Sequence, residues 1–211
     1  MERASSCPDD DHDGRIDDQA LAKRAGDGDR WAADKLVHRY YPKVYRLVHR
    51  MSDGNVDAAE ERTQDIFLKV FSHIKSFRRE AAFSTWVYRI AVNTCLDDRK
   101  RRKTWKMLLT PWPFGRKKEE SSDNADDLPD ARPSMDPESL LRGRQLDGAV
   151  RAAMETLTDK QRAIFHLKME DELRISEIAV IMGMAEGTVK SHLFRATRSL
   201  RGRLKEWIEK E

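Results

Sequence analysis

From Asp18 onward, apolar side chains return every three or four positions through most of the chain. Val37, Tyr40, Tyr41, Val44, Val48 and Met51 trace one stripe. Ile66, Phe67, Val70, Phe71 and Ile74 trace a second, and Trp86, Val87, Ile90, Ala91 and Thr94 a third. Such steps gather residues on one side of an α-helix, which repeats about every 3.6 residues. Ser84 or Thr85 stands where its hydroxyl can cap the third helix. No stretch alternates with a period of two, so no strand is predicted. The periodicity stops near Lys103. Residues 104–140 carry Pro111, Pro113, Pro129, Pro133 and Pro137. A proline lacks the amide N–H and clashes with the preceding turn, so no helix is expected to run through them. Helical spacing resumes at Leu141: Leu146, Val150, Met154 and Leu157 share one face, and Ala163, Ile164, Leu167 and Met169 another. Thr158 and Gln161 have the spacing of a capping box. The pattern predicts an all-α chain with an acidic tail over 1–17, a helical domain over 18–103, an extended acidic linker over 104–140 and a second small helical domain over 141–211.

Residues 175–204 hold the strongest local motif, ISEIAVIMGMAEGTVKSHLFRATRSLRGRL. Ala179 is small where a second helix must cross closely, and Gly183 stands where a tight turn needs a left-handed residue. Met184 and Val189 fill the angle between the helices. This is the layout of a helix-turn-helix, whose second helix enters the major groove of duplex DNA. That helix, expected from about Thr188, offers Lys190, Ser191, His192, Phe194, Arg195, Thr197 and Arg198, with no acid between Lys190 and Lys205. Arg and Lys can donate to guanine O6 and N7, and Thr188 lies where a helix N-terminus can hold phosphate. Arg201, Arg203 and Lys205 add charge for the DNA backbone.

A second constellation lies at 76–103, SFRREAAFSTWVYRIAVNTCLDDRKRRK. A polar loop from Phe77 to Phe83, with Arg78, leads into a helix carrying Trp86, Tyr88, Arg89, Asn93 and Asp97. The helix ends in RKRRK, including Arg101 and Arg102. Rings stack on unpaired bases, amides read base edges and cations follow the backbone, so this set suits single-stranded nucleic acid. Stacking contributes roughly 1–3 kcal/mol per base, the scale of unstacking a base from a duplex. Read without its neighbour, the segment fits a packed Trp86 and a solvated basic helix end equally well.

Charge sharpens this division. The chain has 40 basic and 37 acidic residues, a net charge of only +3. Yet residues 99–118 hold nine basic groups and no acid, whereas 119–138 hold eight acids and Arg132 as their single base. Such segregation marks a basic contact surface beside a solvated acidic spacer. Within the spacer, TWKMLLTPWPFG (104–115) is unusually apolar. The acidic N-terminus lacks the apolar segment of a secretory signal, and no apolar run approaches the roughly 18 residues of a membrane span. Two cysteines, Cys7 and Cys95, make neither a disulfide framework nor a zinc site, and the histidines show no metal-binding spacing. The acidic run 9–13, DDDHD, reads as solvated tail. No P-loop, GxSxG or metal cluster is present, so neither a cofactor nor an enzymatic activity is expected. Asp97 and Asp98 diverge by about 100° on a helix, which disfavours a nuclease metal pair. A stand-alone helix-turn-helix regulator would account for 175–205 but leave 76–103 unused.

Together the segments DGDRWAADKLVHRYYPKVYRLVHRM, ERTQDIFLKVFSHIKSFR, FSTWVYRIAVNTCLDDRKRRK and LTDKQRAIFHLKMEDELRISEIAVIMGMAEGTVKSHLFRA resemble, in this order, bacterial sigma factors of the extracytoplasmic-function (ECF) group of the sigma-70 family. The resemblance covers roughly residues 18–103 and 141–207. It implies a sigma-2 and a sigma-4 domain, a cytoplasmic bacterial location, and a role in promoter-specific transcription initiation without catalysis. It implies core RNA polymerase as partner, with the β′ clamp helices bound through Glu61, Gln64, Asp65, Phe67, Leu68 and Lys69 and the β flap by sigma-4. Phe77, Arg78, Phe83, Trp86, Tyr88, Arg89, Asn93, Asp97, Arg101 and Arg102 would read and melt the −10 element. Thr188, Lys190, Ser191, His192, Phe194, Arg195 and Arg198 would read the −35 element. The acidic linker would thread toward the polymerase active centre, and an anti-sigma factor would control the chain. Arg62 stands where the family often has Leu or Val, and His192 and Thr197 where it often has Arg. These departures bear on clamp contact and promoter preference.

Overall fold

The computed structural model describes residues 16–78, 81–109 and 137–208. Four long or medium helices form the N-terminal unit: α1 (Asp18–Gly26), α2 (Arg30–Met51), α3 (Val56–His73) and α4 (Phe83–Leu109), with a short 3-10 turn at Ile74–Ser76. The C-terminal unit comprises α5 (Pro137–Glu155), α6 (Asp159–Met169), α7 (Ile175–Met182), α8 (Glu186–Arg203) and the short α9 (Lys205–Ile208). No strand occurs among the described residues, as the absence of alternation predicted. The acidic tail up to residue 15, Cys7 and the acidic linker over 119–136 lie outside the described residues.

Short polar side chains start several helices. The Asp29 carboxylate accepts from the Ala32 N–H at 3.2 Å and the Asn55 side chain from the Ala58 N–H at 2.7 Å. The predicted capping box is present: Gln161 N–H donates to Thr158 Oγ1 at 3.3 Å, and Thr158 N–H to Gln161 Oε1 at 2.9 Å. The apolar stripes face inward. Leu36, Val44, Leu47 and Val48 of α2, Ile66 and Val70 of α3, and Val87, Ala91 and Cys95 of α4 are all buried. Burying a Val, Leu or Ile side chain fully is worth about 1.5–3 kcal/mol. This is how α2 carries Pro42 inside the helix: buried residues on both sides of it offset the missing hydrogen bond. Burial also pushes the Cys95 thiol up to about 11.

Several boundaries differ from the sequence reading. α4 begins at Phe83, with Trp86 N–H bonded to the Ala82 carbonyl at 3.2 Å, so Ser84 and Thr85 lie within its first turn rather than at its cap. It also continues to Leu109, into the segment expected to be linker. Thr104–Leu109 contains good helix formers, and the first obstacle is Pro111, just beyond. α5 starts at Pro137 rather than Leu141; a proline fits the first helical position, whose N–H has no partner in any case. Met169 is 53% exposed and not part of an apolar face. Leu141, Leu146 and Val150 of α5 are also exposed, so only the Leu157 end of that stripe is covered. Ala153 and Leu157 pack with Ala196 and Leu200, fixing α5 to α8.

Candidate nucleic-acid and polymerase-binding surfaces

The helix-turn-helix forms as its residue pattern demands. α7 ends at Gly183, which has φ 61° and ψ 43°, the left-handed region. Met184 N–H then bonds the Ala179 carbonyl at 3.0 Å, closing the turn. A β-carbon on Gly183 would meet nothing within 4 Å, so replacement costs only backbone strain. Gly183→Ala is expected to lower stability by about 1–2 kcal/mol, measured by urea unfolding; no change would mean that the turn relaxes freely. Val189 is fully buried, while Met182, Met184 and Leu193 pack against the core. α8 begins at Glu186, one half-turn before the expected Thr188.

The buried side of α8 leaves the opposite side to solvent. Thr188, Lys190, Ser191, Phe194, Arg195 and Arg198 are exposed, and His192 is half-buried at the edge of the face. Phe194 is 67% exposed, an unusual place for a ring without a partner. The Ser191 and Thr197 hydroxyls donate to the carbonyls of Gly187 and Leu193, each at 2.9 Å, so outwardly they act as acceptors.

α4 sorts its predicted residues into two groups. Arg89, Asn93, Asp97 and Arg101 follow one another at steps of four and are all exposed, forming a continuous ridge. Arg102 is exposed beside them and pairs with Asp98 at 3.1 Å. Phe83 and Tyr88 do not join this ridge: they are 2% and 5% exposed. Phe83 meets Tyr40, Phe77 and Trp86 with ring centroids 5.3–5.6 Å apart. It therefore anchors the loop that precedes α4, and only Phe77 and Trp86, both half-buried, retain ring surface there. Arg78 is exposed; residues 79–80 of the loop lie outside the described residues. Tyr88 faces the C-terminal unit, donating to Asp171 at 2.9 Å. Burial, then the Asp171 charge, pushes its hydroxyl pKa upward.

On α3, Glu61, Gln64, Asp65, Leu68 and Lys69 face solvent, and Lys69 also donates to Thr94 Oγ1 at 3.1 Å. Phe67 is 8% exposed and lies against Tyr41 and Phe71. Gln64, Phe67 and Leu68 join Val37, Tyr41 and Phe71 around a shallow, mainly apolar groove of about 360 Å³. Leu68 is 70% exposed on its rim. The α2 side of this groove was not singled out from sequence, although Val37 and Tyr41 belong to the first apolar stripe. Arg62 takes no part: it is buried, 2.6 Å from Asp98 and 2.5 Å from Ser52 Oγ, and ties α3 to α4. Its departure from the family pattern thus concerns packing between helices and not the surface that the clamp would meet.

Among the described residues, no group of three or more His, Cys, Asp or Glu side chains could hold a metal ion, and no helix is long and apolar enough to cross a membrane. Asp98, half of the nuclease pair considered from sequence, is engaged by Arg62 and Arg102.

Comparison with known proteins identifies the family. Residues 36–105 match the family model of Sigma-70 region 2, and residues 147–200 that of Sigma-70, region 4. The chain is 33% identical over 184 residues to the ECF RNA polymerase sigma factor SigW of Bacillus subtilis (strain 168), covering 87% of this chain and 95% of that protein. It is 32% identical over 203 residues to the ECF RNA polymerase sigma-E factor of Escherichia coli (strain K12), covering 93% and 98%. Its fold resembles that of CnrH solved in complex with the cytosolic domain of CnrY, with a TM-score of 0.62 at 19% identity, over 90% of this chain and 97% of that one. A helix-turn-helix behind a region-2 helical bundle, matched along nearly the whole length of curated relatives, makes this chain a member of the ECF sigma factors of the sigma-70 family.

Proposed function

We propose that the chain binds core RNA polymerase through the α3 groove and brings two DNA-reading helices to a promoter. Glu61, Gln64, Asp65, Leu68 and Lys69, with Phe67 shaping the groove floor, take the β′ clamp helices, and the C-terminal unit takes the β flap. The Arg89–Asn93–Asp97–Arg101 ridge, with Trp86, Phe77, Arg78 and Arg102 beside it, receives the opened −10 strand. Phe83 and Tyr88 serve by positioning. The exposed face of α8 reads the −35 duplex, with Lys190 and Arg195 on base edges and Thr188 on phosphate. The boundaries 18–103 and 141–211 mark the two units, with the first extended to Leu109 and the second to Pro137 by their helices. Polymerase supplies all bond chemistry in this reading, and the chain works where polymerase works, in the bacterial cytoplasm. CnrH was solved with the cytosolic domain of CnrY, and a sigma factor RpoE of Bartonella quintana with the anti-sigma factor NepR; we assign this chain an anti-sigma partner as well.

The observation that carries the reading is that one chain exposes both a ridge suited to unpaired bases and a helix suited to an intact groove. Asn93→Ala tests it. The variant is expected to bind duplex −35 DNA normally but to open promoters about tenfold less, given the 1–3 kcal/mol that one base contact provides. Permanganate reactivity of the opened thymines reports this, and unchanged reactivity would refute the assignment of the ridge.

A further inference from the structure

The helix that carries the proposed −10 ridge also carries a competitor for its cations. Asp98 follows Asp97 of the ridge and lies about 100° further round α4, toward α3. It shares its side of the helix with Cys95, which is buried one turn before it. Two cations meet at one oxygen of its carboxylate: Arg62 of α3 comes within 2.6 Å of Oδ2, and Arg102 of α4 within 3.1 Å. Oδ2 is buried and has no hydrogen-bond partner, so both contacts are held by charge and not by an aligned N–H.

The two cations are not equivalent. The Arg62 side chain is 9% exposed and that of Arg102 is 60% exposed. Arg62 is also fixed at its other nitrogen, which donates at 2.5 Å to the hydroxyl of Ser52, between α2 and α3. A buried guanidinium stripped of its carboxylate is costly, whereas an exposed one has water and salt ions as alternatives. Asp98 is therefore committed to Arg62 from inside the α3–α4 joint, and Arg102 is bound to it only loosely. This matters for a cation that is to follow a nucleic-acid backbone. A cation already neutralised by its own chain displaces no counterion from a phosphate unless that pair first breaks. Without Arg62, the full charge of Asp98 would fall on Arg102.

We propose that Arg62 is a positioning residue for DNA-backbone binding: it occupies Asp98 from within the fold and so leaves Arg102 free to grip a phosphate of the opened strand. The role rests on the proposed reading of α4 as the −10 surface. It gives a function to a buried arginine that packing alone does not require, since an apolar side chain can fill such a joint.

Holoenzyme reconstituted from core polymerase and the full chain is titrated with a fluorescein-labelled, A/T-rich single-stranded oligonucleotide at several salt concentrations. Arg62→Met keeps an unbranched side chain and removes the charge. It is expected to make the log–log salt slope shallower by about 0.7, the share of one phosphate contact on a single strand, and to weaken binding about fivefold at about 0.1 M salt. Arg102→Ala is expected to do the same. Adding Arg62→Met to Arg102→Ala is expected to change nothing further, because both act through one contact; a merely structural defect would cost affinity there as well. Arg62→Met with Asp98→Asn leaves no carboxylate to capture Arg102, and is expected to return to the parent's slope and affinity. An unchanged slope in Arg62→Met, a further loss when it is added to Arg102→Ala, or no recovery with Asp98→Asn would overturn the role of Arg62 and leave the −10 surface standing. An unchanged slope in Arg102→Ala would instead remove Arg102 from that surface, and the role of Arg62 with it.

Discussion

Replacing Lys190 and Arg195 together with Ala is expected to cut transcription from promoters with a −35 element about a hundredfold, since each bidentate contact to a base discriminates by about 1–3 kcal/mol. Both side chains stand on the solvent side of α8, opposite fully buried Val189 and Ala196. The fold has little to lose, and thermal unfolding is expected to stay near the parent's. Core polymerase binding is expected to survive in large part, because the groove proposed for the clamp lies on the other unit. Salt dependence distinguishes the two ways in which a cation can contribute. If the pair reads base edges, the loss falls mainly on the preferred sequence. If it merely neutralises phosphates, every sequence weakens alike, and the log–log salt slope drops by about 0.9 per contact. Measuring affinity for matched and scrambled duplexes across salt concentrations decides this. An equal loss of core binding would contradict the division between the two units.

Leu68→Asp is expected to weaken core polymerase binding by about thirtyfold, the effect of losing an anchor worth about 2 kcal/mol. Leu68 is among the most exposed large apolar side chains of the described residues and borders a groove floored by Phe67 and Phe71. Leu68 is 70% exposed, so folding stability is expected to shift by no more than about 0.5 kcal/mol. Affinity by fluorescence anisotropy and stability by urea unfolding are read on the same preparation. Unchanged affinity would remove the groove from the polymerase interface. Lost stability would show instead that Leu68 belongs to the core.

The helical stripes, the Gly183 turn and the Thr158 capping box were legible from the sequence because each depends on residues within a few positions of one another. Periodicity told which residues share a face, but not what that face meets. Tyr88 and Phe83 illustrate the limit. Their rings suited base stacking on composition, yet one hydrogen-bonds to Asp171 and the other fills an aromatic cluster with Tyr40. Arg162 and Asp53 pair although 109 positions separate them, and nothing local in the chain announces it. The end of α4 was misplaced for a different reason: the prolines beyond Lys103 suggested a break, but the first of them stands two residues past Leu109, outside the helix. Helical spacing accounts for the exposure of Arg89, Asn93, Asp97 and Arg101, but it could not tell that other elements cover Phe83 and Tyr88.

Because α4 is a single unbroken rod from Phe83 to Leu109, the amide of Asn93 and the guanidinium of Arg101 are geared together. Adding one residue between them would turn everything downstream by about 100° about the axis and advance it by about 1.5 Å. The arginines would then point away from any strand that Asn93 still touched. Spacing along this rod is therefore as much a part of the proposed binding surface as the side chains themselves.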